Sequence, residues 1–273
     1  MIYFVATPIG NLKDITLRAL EILNSVDVIA CEDTRTSKVL LDKYDIKNKH
    51  LISYHKFNEQ ESSDNIIKLE NEGKNIAIIS DAGMPGISDP GNILAKKLVE
   101  NKIDFTIIPG ANALTSALVL SGFDSRTFYF AGFLPEKNSD KDKLLSEIST
   151  LQSTLIFYIS SHNIKKDVSY LYSQLGDRKA CLVKELTKIY ESKFYFNLSS
   201  MPEIDERGEF VLIVEGNNVQ LNKDEMTIPE HVLFYINLGL SKNDAIKKVA
   251  KERNLAKNDV YKTVLELKDN RNN

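Results

Sequence analysis

Hydrophobic residues follow two alternating periods along the first half of the chain. Short β-branched runs fall at Ile2–Val5, Asp27–Ala30, Leu51–Tyr54, Ile76–Ile79 and Phe105–Ile108. Stretches with helical spacing separate them. Thr16–Leu23 brings Leu17, Leu20, Ile22 and Leu23 to one side, Thr36–Tyr44 groups Val39, Leu40 and Leu41, and Ile66–Leu69 and Ile93–Val99 behave similarly. Strand–helix alternation of this kind predicts a largely parallel sheet covered on both faces. Ligands of such sheets bind beyond the carboxyl ends of the strands, so the loops after each strand carry the interest.

From about residue 120 the pattern changes. Strands are predicted at Phe128–Ala131, Thr154–Tyr158, Ala180–Glu185, Ile189–Phe196 and Glu209–Val214, with long helical stretches only at Lys141–Leu151 and Ile164–Leu175. A hairpin about Thr187 and Lys188 and a mixed sheet follow. Polar residues 217–225 read as a linker. Beyond it, Ser241 and Asp244 form a capping box, and Ala245, Ile246, Val249 and Ala250 give a helical apolar face. Asn254-Leu255 turns the chain, and Asn258 is expected to cap a second helix with Val260, Tyr261, Val264 and Leu265 inward. The expected parts are a parallel α/β domain at 1–118, a mixed-sheet α/β domain at 119–217, and a small helix-turn-helix-like module at 228–273.

Composition narrows the class. With 42% hydrophobic and 27% charged residues among 273, the chain reads as globular and excludes disorder or coiled coil as a whole-chain description. The formal charge of -3 excludes a general polycation. That average conceals an asymmetry, since residues 241–273 hold nine Lys/Arg against five Asp/Glu. The tail is therefore +4 and the remainder -7. Such a tail suits either nucleic-acid contact or a solvated basic face. Two cysteines, Cys31 and Cys181, make neither a disulfide framework nor a zinc site, and a reducing cytoplasmic compartment is expected. The apolar runs are of strand length, and no membrane span is expected.

Candidate chemistry concentrates in strand-end loops. Ala6–Asn11, Ser80–Gly91, Ile108–Ala113 and Ser121–Phe123 are rich in Gly, Pro and small polar residues, which let backbone approach a ligand. Neither a Walker A loop nor a G-x-G-x-x-G is present, so neither a P-loop nucleotide site nor a dinucleotide fold is signalled. A neutral or cationic nucleoside held by backbone groups remains open. At the end of the second strand, Glu32 and Asp33 offer acid–base chemistry, and Arg35 and Lys38 anion recognition. The plainer reading makes Asp33 a helix cap and joins Glu32 to Arg35 in a local ion pair. Ser53–Glu59, with His55 and Lys56 among aromatics, suits gripping a polynucleotide loop, or equally a surface turn with Asn58 capping the next helix.

Taken in order, Val5–Asn11, Glu32–Arg35, Ser53–His55, Ser80–Gly91, Ile108–Gly110, Gly132–Pro135, Phe157-Tyr158, Glu185–Lys188 and Gly208–Val211 resemble the tetrapyrrole-methylase superfamily. Within it, the chain is similar to the bacterial small-subunit ribosomal RNA 2′-O-ribose methyltransferases. The resemblance implies two α/β domains binding S-adenosylmethionine between them, a homodimer, and 2′-O-methylation of a cytidine in the decoding region, with no protein-bound metal. It places Pro8, Ala82, Gly83, Met84, Ile87, Asn112, Ala113, Ile159 and Leu186 at the cofactor. Met84 stands where the family usually has Thr, and Ile159–Asn163 replaces a usual Glu-Ser-Pro-His-Arg. A carboxylate among Glu32, Asp33, Asp81 and Asp89 is expected to orient or deprotonate the ribose hydroxyl. Arg35, Lys38, His55, Lys56 and Lys188 are expected to hold RNA, either free or in the assembled small ribosomal subunit. Two other readings accompany this one: methylation of a tetrapyrrole or a modified protein, and a non-catalytic RNA-binding factor of the same fold.

Overall fold

The computed structural model describes residues 1–217, 226–237 and 240–269. Apart from Asn217, the expected linker lies outside the described residues. The chain forms two compact units, Met1–Leu145 with Ser153–Gly216, and Ser146–Gln152 with Asn217–Asn273.

The first unit holds two five-stranded sheets. In one, β1 (Ile2–Val5), β2 (Val28–Cys31), β3 (His50–Ser53), β4 (Ile76–Ile79) and β5 (Phe105–Ile108) run parallel in the order β3-β2-β4-β1-β5. Side-chain alternation splits its core in two. Ile2, Phe4, Val28, Ala30, Ile76 and Ile78 pack with α3 (Glu59–Asn71) and α4 (Asn92–Glu100). Val5, Ile29, Cys31, Ala77 and Ile79 pack with α1 (Leu17–Ser25) and α2 (Thr34–Lys43). Two residues expected inside are not, for Leu17 is 80% and Val39 64% exposed. Successive helical residues are about 100° apart, so neighbouring apolar positions cannot all share one face.

The second sheet runs β6-β7-β10-β8-β9, from β6 (Phe128–Phe133), β7 (Thr154–Ile159), β8 (Lys179–Lys184), β9 (Ser192–Asn197) and β10 (Phe210–Val214). Only β6 and β7 pair in parallel, so the sheet is mixed as expected. The last hairpin strand starts at Ser192, leaving Ile189 and Tyr190 exposed in the connecting loop. Turn bonds from Lys188 N–H to the Glu185 carbonyl and from Glu191 N–H to the Lys188 carbonyl use backbone that a longer strand would need. Helices α6 (Asn138–Ile148) and α7 (Ile164–Leu175) match the two predicted ones.

Within the first unit, one helix is absent from the sequence pattern. The α5 segment (Ala113–Ser121) is capped by Asn112, whose side chain accepts from Thr115 N–H, and stops at Gly122 in the left-handed region. Its Leu114, Ala117 and Leu118 pack on the second sheet with Ile156, Cys181, Val183, Val211 and Ile213. The boundary expected after residue 118 falls inside it.

The second unit contains α8 (Ile228–Asn237), α9 (Lys242–Glu252) and α10 (Lys257–Asp269), one helix more than the two read at 241–269. Val232, Tyr235, Ala245, Ile246, Val249, Ala250 and Val260 form its core. Ser241 caps α9 by accepting from Asp244 N–H, and Asn254 takes a positive φ in the following turn. Asn258 is not the cap of α10. The helix starts at Lys257, and the Ala256 carbonyl accepts from Asp259 and Val260. Tyr261 is 42% exposed rather than inward, with the Lys242 ammonium 5.9 Å from its ring. No described helix is long and apolar enough to cross a membrane.

Candidate functional site

Strands β4, β1 and β5 are neighbours, so the loops that follow them lie side by side at the carboxyl edge. They are tied together by backbone. Thr7 and Gly83 exchange two hydrogen bonds of 2.8 and 3.0 Å, and Ala6 N–H donates to the Ile108 carbonyl at 3.1 Å. The Gly83 N–H is thus committed to Thr7, and this glycine lends the loop its shape. Gly91 adopts φ +141°, and a Cβ there would sit 2.9 Å from the Gly86 nitrogen, so no larger residue fits without backbone movement. Glu59 of α3 fastens the end of the same loop. Its Oε1 accepts from Gly91 N–H (2.8 Å), Ile93 N–H (3.1 Å) and the Tyr54 hydroxyl (3.1 Å).

The loop between β8 and β9 meets the first strand-end loop. Asn11 N–H donates to Thr187 Oγ1 at 2.9 Å, and a Cβ at Gly10 would fall 2.6 Å from Lys188 Cγ. Glu185 and Thr187 both hold positive φ without being glycine. Local bonds maintain that strain: Lys188 pairs with Glu185 (3.0 Å) and Glu209 (2.9 Å), and Thr187 N–H donates to Glu191 (2.6 Å).

Between these loops lies a cavity of about 420 Å³. Of the residues the resemblance placed at a cofactor, Ala82, Gly83, Met84, Ile87, Asn112, Ala113, Ile159 and Leu186 line it, whereas Pro8 does not and its neighbour Ile9 does. Asp89 is on the wall. Glu32, Asp33 and Asp81 are not among the lining residues. Phe133, Tyr158, Ser160, Ser161 and the run Gly208–Val211 also line the cavity, without having been assigned a role from sequence. For Phe133, Tyr158 and Gly208–Val211 the signal was present, because Gly132–Pro135, Phe157-Tyr158 and Gly208–Val211 all belong to the resembling segments.

The four carboxylates divide by environment. Asp33 caps α2 through Arg35 N–H (2.8 Å) and pairs with the Arg35 guanidinium (2.6 Å), which holds its carboxyl down at about 2. The local ion pair is therefore Asp33–Arg35, not Glu32–Arg35. Asp89 lies at the opposite extreme. Burial first, then repulsion from Glu32 and Asp81, push its carboxyl up to about 7 against an opposing Ser80 hydrogen bond. Glu32 and Asp81 are also raised, each mainly by burial, and Glu32 further by the Asp81 charge. Asp81 accepts from Asp33 N–H at 3.1 Å, which joins the two loops. Beside Asp89, the Tyr158 hydroxyl is raised to about 12 by burial and by the Asp89 charge.

The expected RNA-holding side chains separate in the same way. Arg35 is committed to Asp33, and Lys188 to two carboxylates. Lys38 and Lys56 are exposed. His55 is half-buried and close enough to Glu32 to favour its ionised form. Asn58 does not cap α3 with its side chain. Instead it accepts from His55 N–H (2.8 Å) and donates to the Ser53 carbonyl (3.2 Å), stiffening a turn that presents Phe57 at 95% exposure, edge-on to His55.

Residues 1–201 match the family model described as Tetrapyrrole (Corrin/Porphyrin) Methylases. A protein of Bacillus subtilis named "Ribosomal RNA small subunit methyltransferase I" is 42% identical over 271 residues, covering 96% of this chain and 92% of that one. A protein of Mesomycoplasma conjunctivae with the same name is 46% identical, covering 82% and 96%. Among solved structures, a diphthine synthase superposes with a TM-score of 0.63 at 14% identity, covering 81% of this chain and 92% of that one. The uroporphyrin-III-C-methyltransferase of Thermus thermophilus gives 0.58 at 18%, covering 78% and 93%, and both likenesses concern the fold alone. Sheet order, strand-end cavity and these similarities agree: the chain belongs to the tetrapyrrole (corrin/porphyrin) methylases and, within them, to the family of the proteins named ribosomal RNA small subunit methyltransferase I.

Proposed function

We propose that the chain transfers a methyl group from S-adenosylmethionine to the 2′-hydroxyl of a cytidine in the decoding region of small-subunit ribosomal RNA. The observation that carries the reading is Asp89: a carboxylate held near neutrality on the wall of a cavity that is also lined by eight positions matching the family's cofactor residues. The names of the relatives support ribosomal RNA as the substrate class. In this reading 1–118 and 119–217 supply the two walls, and 228–273 is a separate basic attachment. A homodimer in the cytoplasm is the proposed state.

The cavity's chemistry fits the cofactor. Its volume lies in the range of small-ligand sites, about 300–1,000 Å³. Apolar side chains of Ile9, Met84 and Leu186 and loop backbone around Ala82 would hold the adenosine portion. When ionised, the Asp89 carboxylate gives the site a negative character suited to a cation, whereas Glu209 on the same wall is paired with Lys188. When bound, S-adenosylmethionine supplies a methyl group on a sulfonium centre, so no covalent enzyme intermediate is required.

The residues would then position and deprotonate. A ribose hydroxyl is weakly acidic, and a base titrating near the working pH is the most effective acceptor for its proton. Asp89 is that base in our assignment. Glu32 and Asp81 keep it basic by repulsion, while Asp33 and Arg35 form a clamp at the protein surface. Lys38, Lys56 and His55 would steer phosphates, and Phe57 would stack on an exposed base.

Incubating purified chain with small ribosomal subunits and isotope-labelled S-adenosylmethionine, followed by mass mapping of the RNA, tests the reading. Label on a single cytidine ribose is expected. Label on a tetrapyrrole or a protein only would favour the other methylase reading. Absence of cofactor binding at millimolar concentration would favour a non-catalytic RNA-binding factor.

A further inference from the structure

The transfer leaves one charged surface without a role. On α9, Lys247, Lys248 and Lys251 are exposed and border a single shallow depression together with Leu240, Asp244 and Glu252. The two acids there are already engaged. Asp244 accepts from the Ser241 hydroxyl (2.7 Å) and pairs with Lys247 (3.2 Å). Glu252 accepts from the Tyr235 hydroxyl (2.7 Å) and faces buried His231 Nε2 at 3.2 Å. The Lys248 ammonium lies 4.5 Å from the Tyr235 ring centroid, which holds the side chain in place without cancelling its charge. Lys257 and Lys262 add further exposed positive charge on α10. The three lysines outnumber the two acids, so the depression is net cationic even with Lys247 paired to Asp244, within a chain whose remaining 240 residues are net negative.

Resting on the ribosomal reading above, we propose that the α9 lysines form a second RNA contact, gripping the phosphate backbone of the small-subunit RNA away from the methylated nucleotide. The partner is chosen by chemistry. A membrane-surface helix needs an exposed apolar face, whereas Ala245, Ile246, Val249 and Ala250 of α9 are buried in the unit's own core. Among the described residues, Leu240 is the sole apolar residue bordering the depression, and no aromatic anchor of a protein hot spot borders it. A polyanion is matched by charge alone, and the contact is expected to be insensitive to sequence.

The test compares wild type with the triple variants Lys247→Gln/Lys248→Gln/Lys251→Gln and Lys247→Arg/Lys248→Arg/Lys251→Arg in the full chain. Affinity for purified small ribosomal subunits is measured at several salt concentrations, alongside S-adenosylmethionine titration and thermal melting. Each phosphate contact contributes about 0.7–0.9 to the log–log salt slope, so the Gln variant should lower the slope by about 2 and weaken binding by about tenfold or more at physiological salt. Cofactor binding should not change, and the Arg variant should bind as wild type does. Unchanged affinity and slope in the Gln variant, with RNA methylation intact, overturn the proposal while leaving the methyltransferase reading in place. Loss of binding in the Arg variant as well points to altered folding of the unit and overturns the charge argument. A wild-type chain that binds cofactor but neither binds nor methylates small subunits overturns both.

Discussion

Asp33 and Asp89 lie in adjacent strand-end loops of one sheet, yet their environments give them opposite acidities. Asp33 is the cap of α2 and is clamped by a neighbouring guanidinium, so its proton leaves at about pH 2. Asp89 lies half-buried on the cavity wall with two other carboxylates nearby, and it holds its proton to about pH 7. The contrast shows that carboxylates equally placed at strand ends are not equivalent. A partner that stabilises the anion makes Asp33 a structural and electrostatic element. Desolvation without a cation makes Asp89 able to exchange a proton near neutral pH.

The largest expected effect breaks this contrast at its centre. Asp89→Asn should reduce kcat by roughly 10²–10⁴-fold, the usual loss on removing a general base, and erase a rising limb near pH 7 in the rate profile. Asp33→Asn, assayed in parallel, should leave kcat and that limb almost unchanged. Full turnover in Asp89→Asn with normal cofactor affinity would remove it as the base.

Next in size is the support of the Asp89 loop. Glu59→Ala strips the acceptor from two backbone N–H groups and a tyrosine hydroxyl. Leaving such donors unsatisfied costs about 1–3 kcal/mol, read as a drop of several degrees in thermal midpoint. Because the loop carries Asp89, kcat should fall with it. Glu59→Gln keeps a carbonyl acceptor and should recover most of both losses.

A smaller effect concerns stability against pH. Asp89 titrates near 7 folded and near about 4 unfolded, so between those values the folded state binds more protons. Stability contributed by the neutral carboxyl is complete below pH 4 and is lost as pH rises through 7. Asp89→Asn carries no such charge. It should exceed wild type in stability above pH 7 by about 1–2 kcal/mol, the full shift being discounted because the carboxyl keeps solvent contact, with the gap closing below pH 4. Denaturant titrations at pH 5 and 8 give the comparison.

The smallest effect lies at the surface clamp. Arg35→Ala should return the Asp33 carboxyl toward its ordinary value, followed by NMR titration of its side-chain carbon. The activity change should appear in KM for RNA and not in kcat.

Much of this architecture can be read from the chain because each central strand is a short β-branched run buried on both faces. Runs such as Ile76–Ile79 have few alternatives to a parallel sheet interior. The α5 and α8 helices were illegible for the opposite reason. Ala113–Ser121 is apolar and small almost throughout, and Ile228–Asn237 carries apolar residues on several sides, so neither displays a single stripe. Packing decides their conformation. At the site, loop composition pointed to Ser80–Gly91 and Ile108–Ala113 and the family resemblance to Leu186, but a residue such as Ser160 faces the cavity only because the second sheet supplies a wall.

By itself the sequence determined the alternating architecture, the mixed second sheet, the strand-end loops and the charge split between body and tail. Those are local properties, written in period, turn chemistry and composition. Tertiary structure decided which carboxylate can act as a base, because burial and the distance to Arg35 are three-dimensional quantities. It likewise decided that Lys188 spends its charge on Glu185 and Glu209 and that Lys247 pairs with Asp244, whereas Lys248 and Lys251 of α9 keep theirs for solvent or a partner. Charges are visible in a sequence; how far water or a counter-charge screens each one is set only when the chain folds.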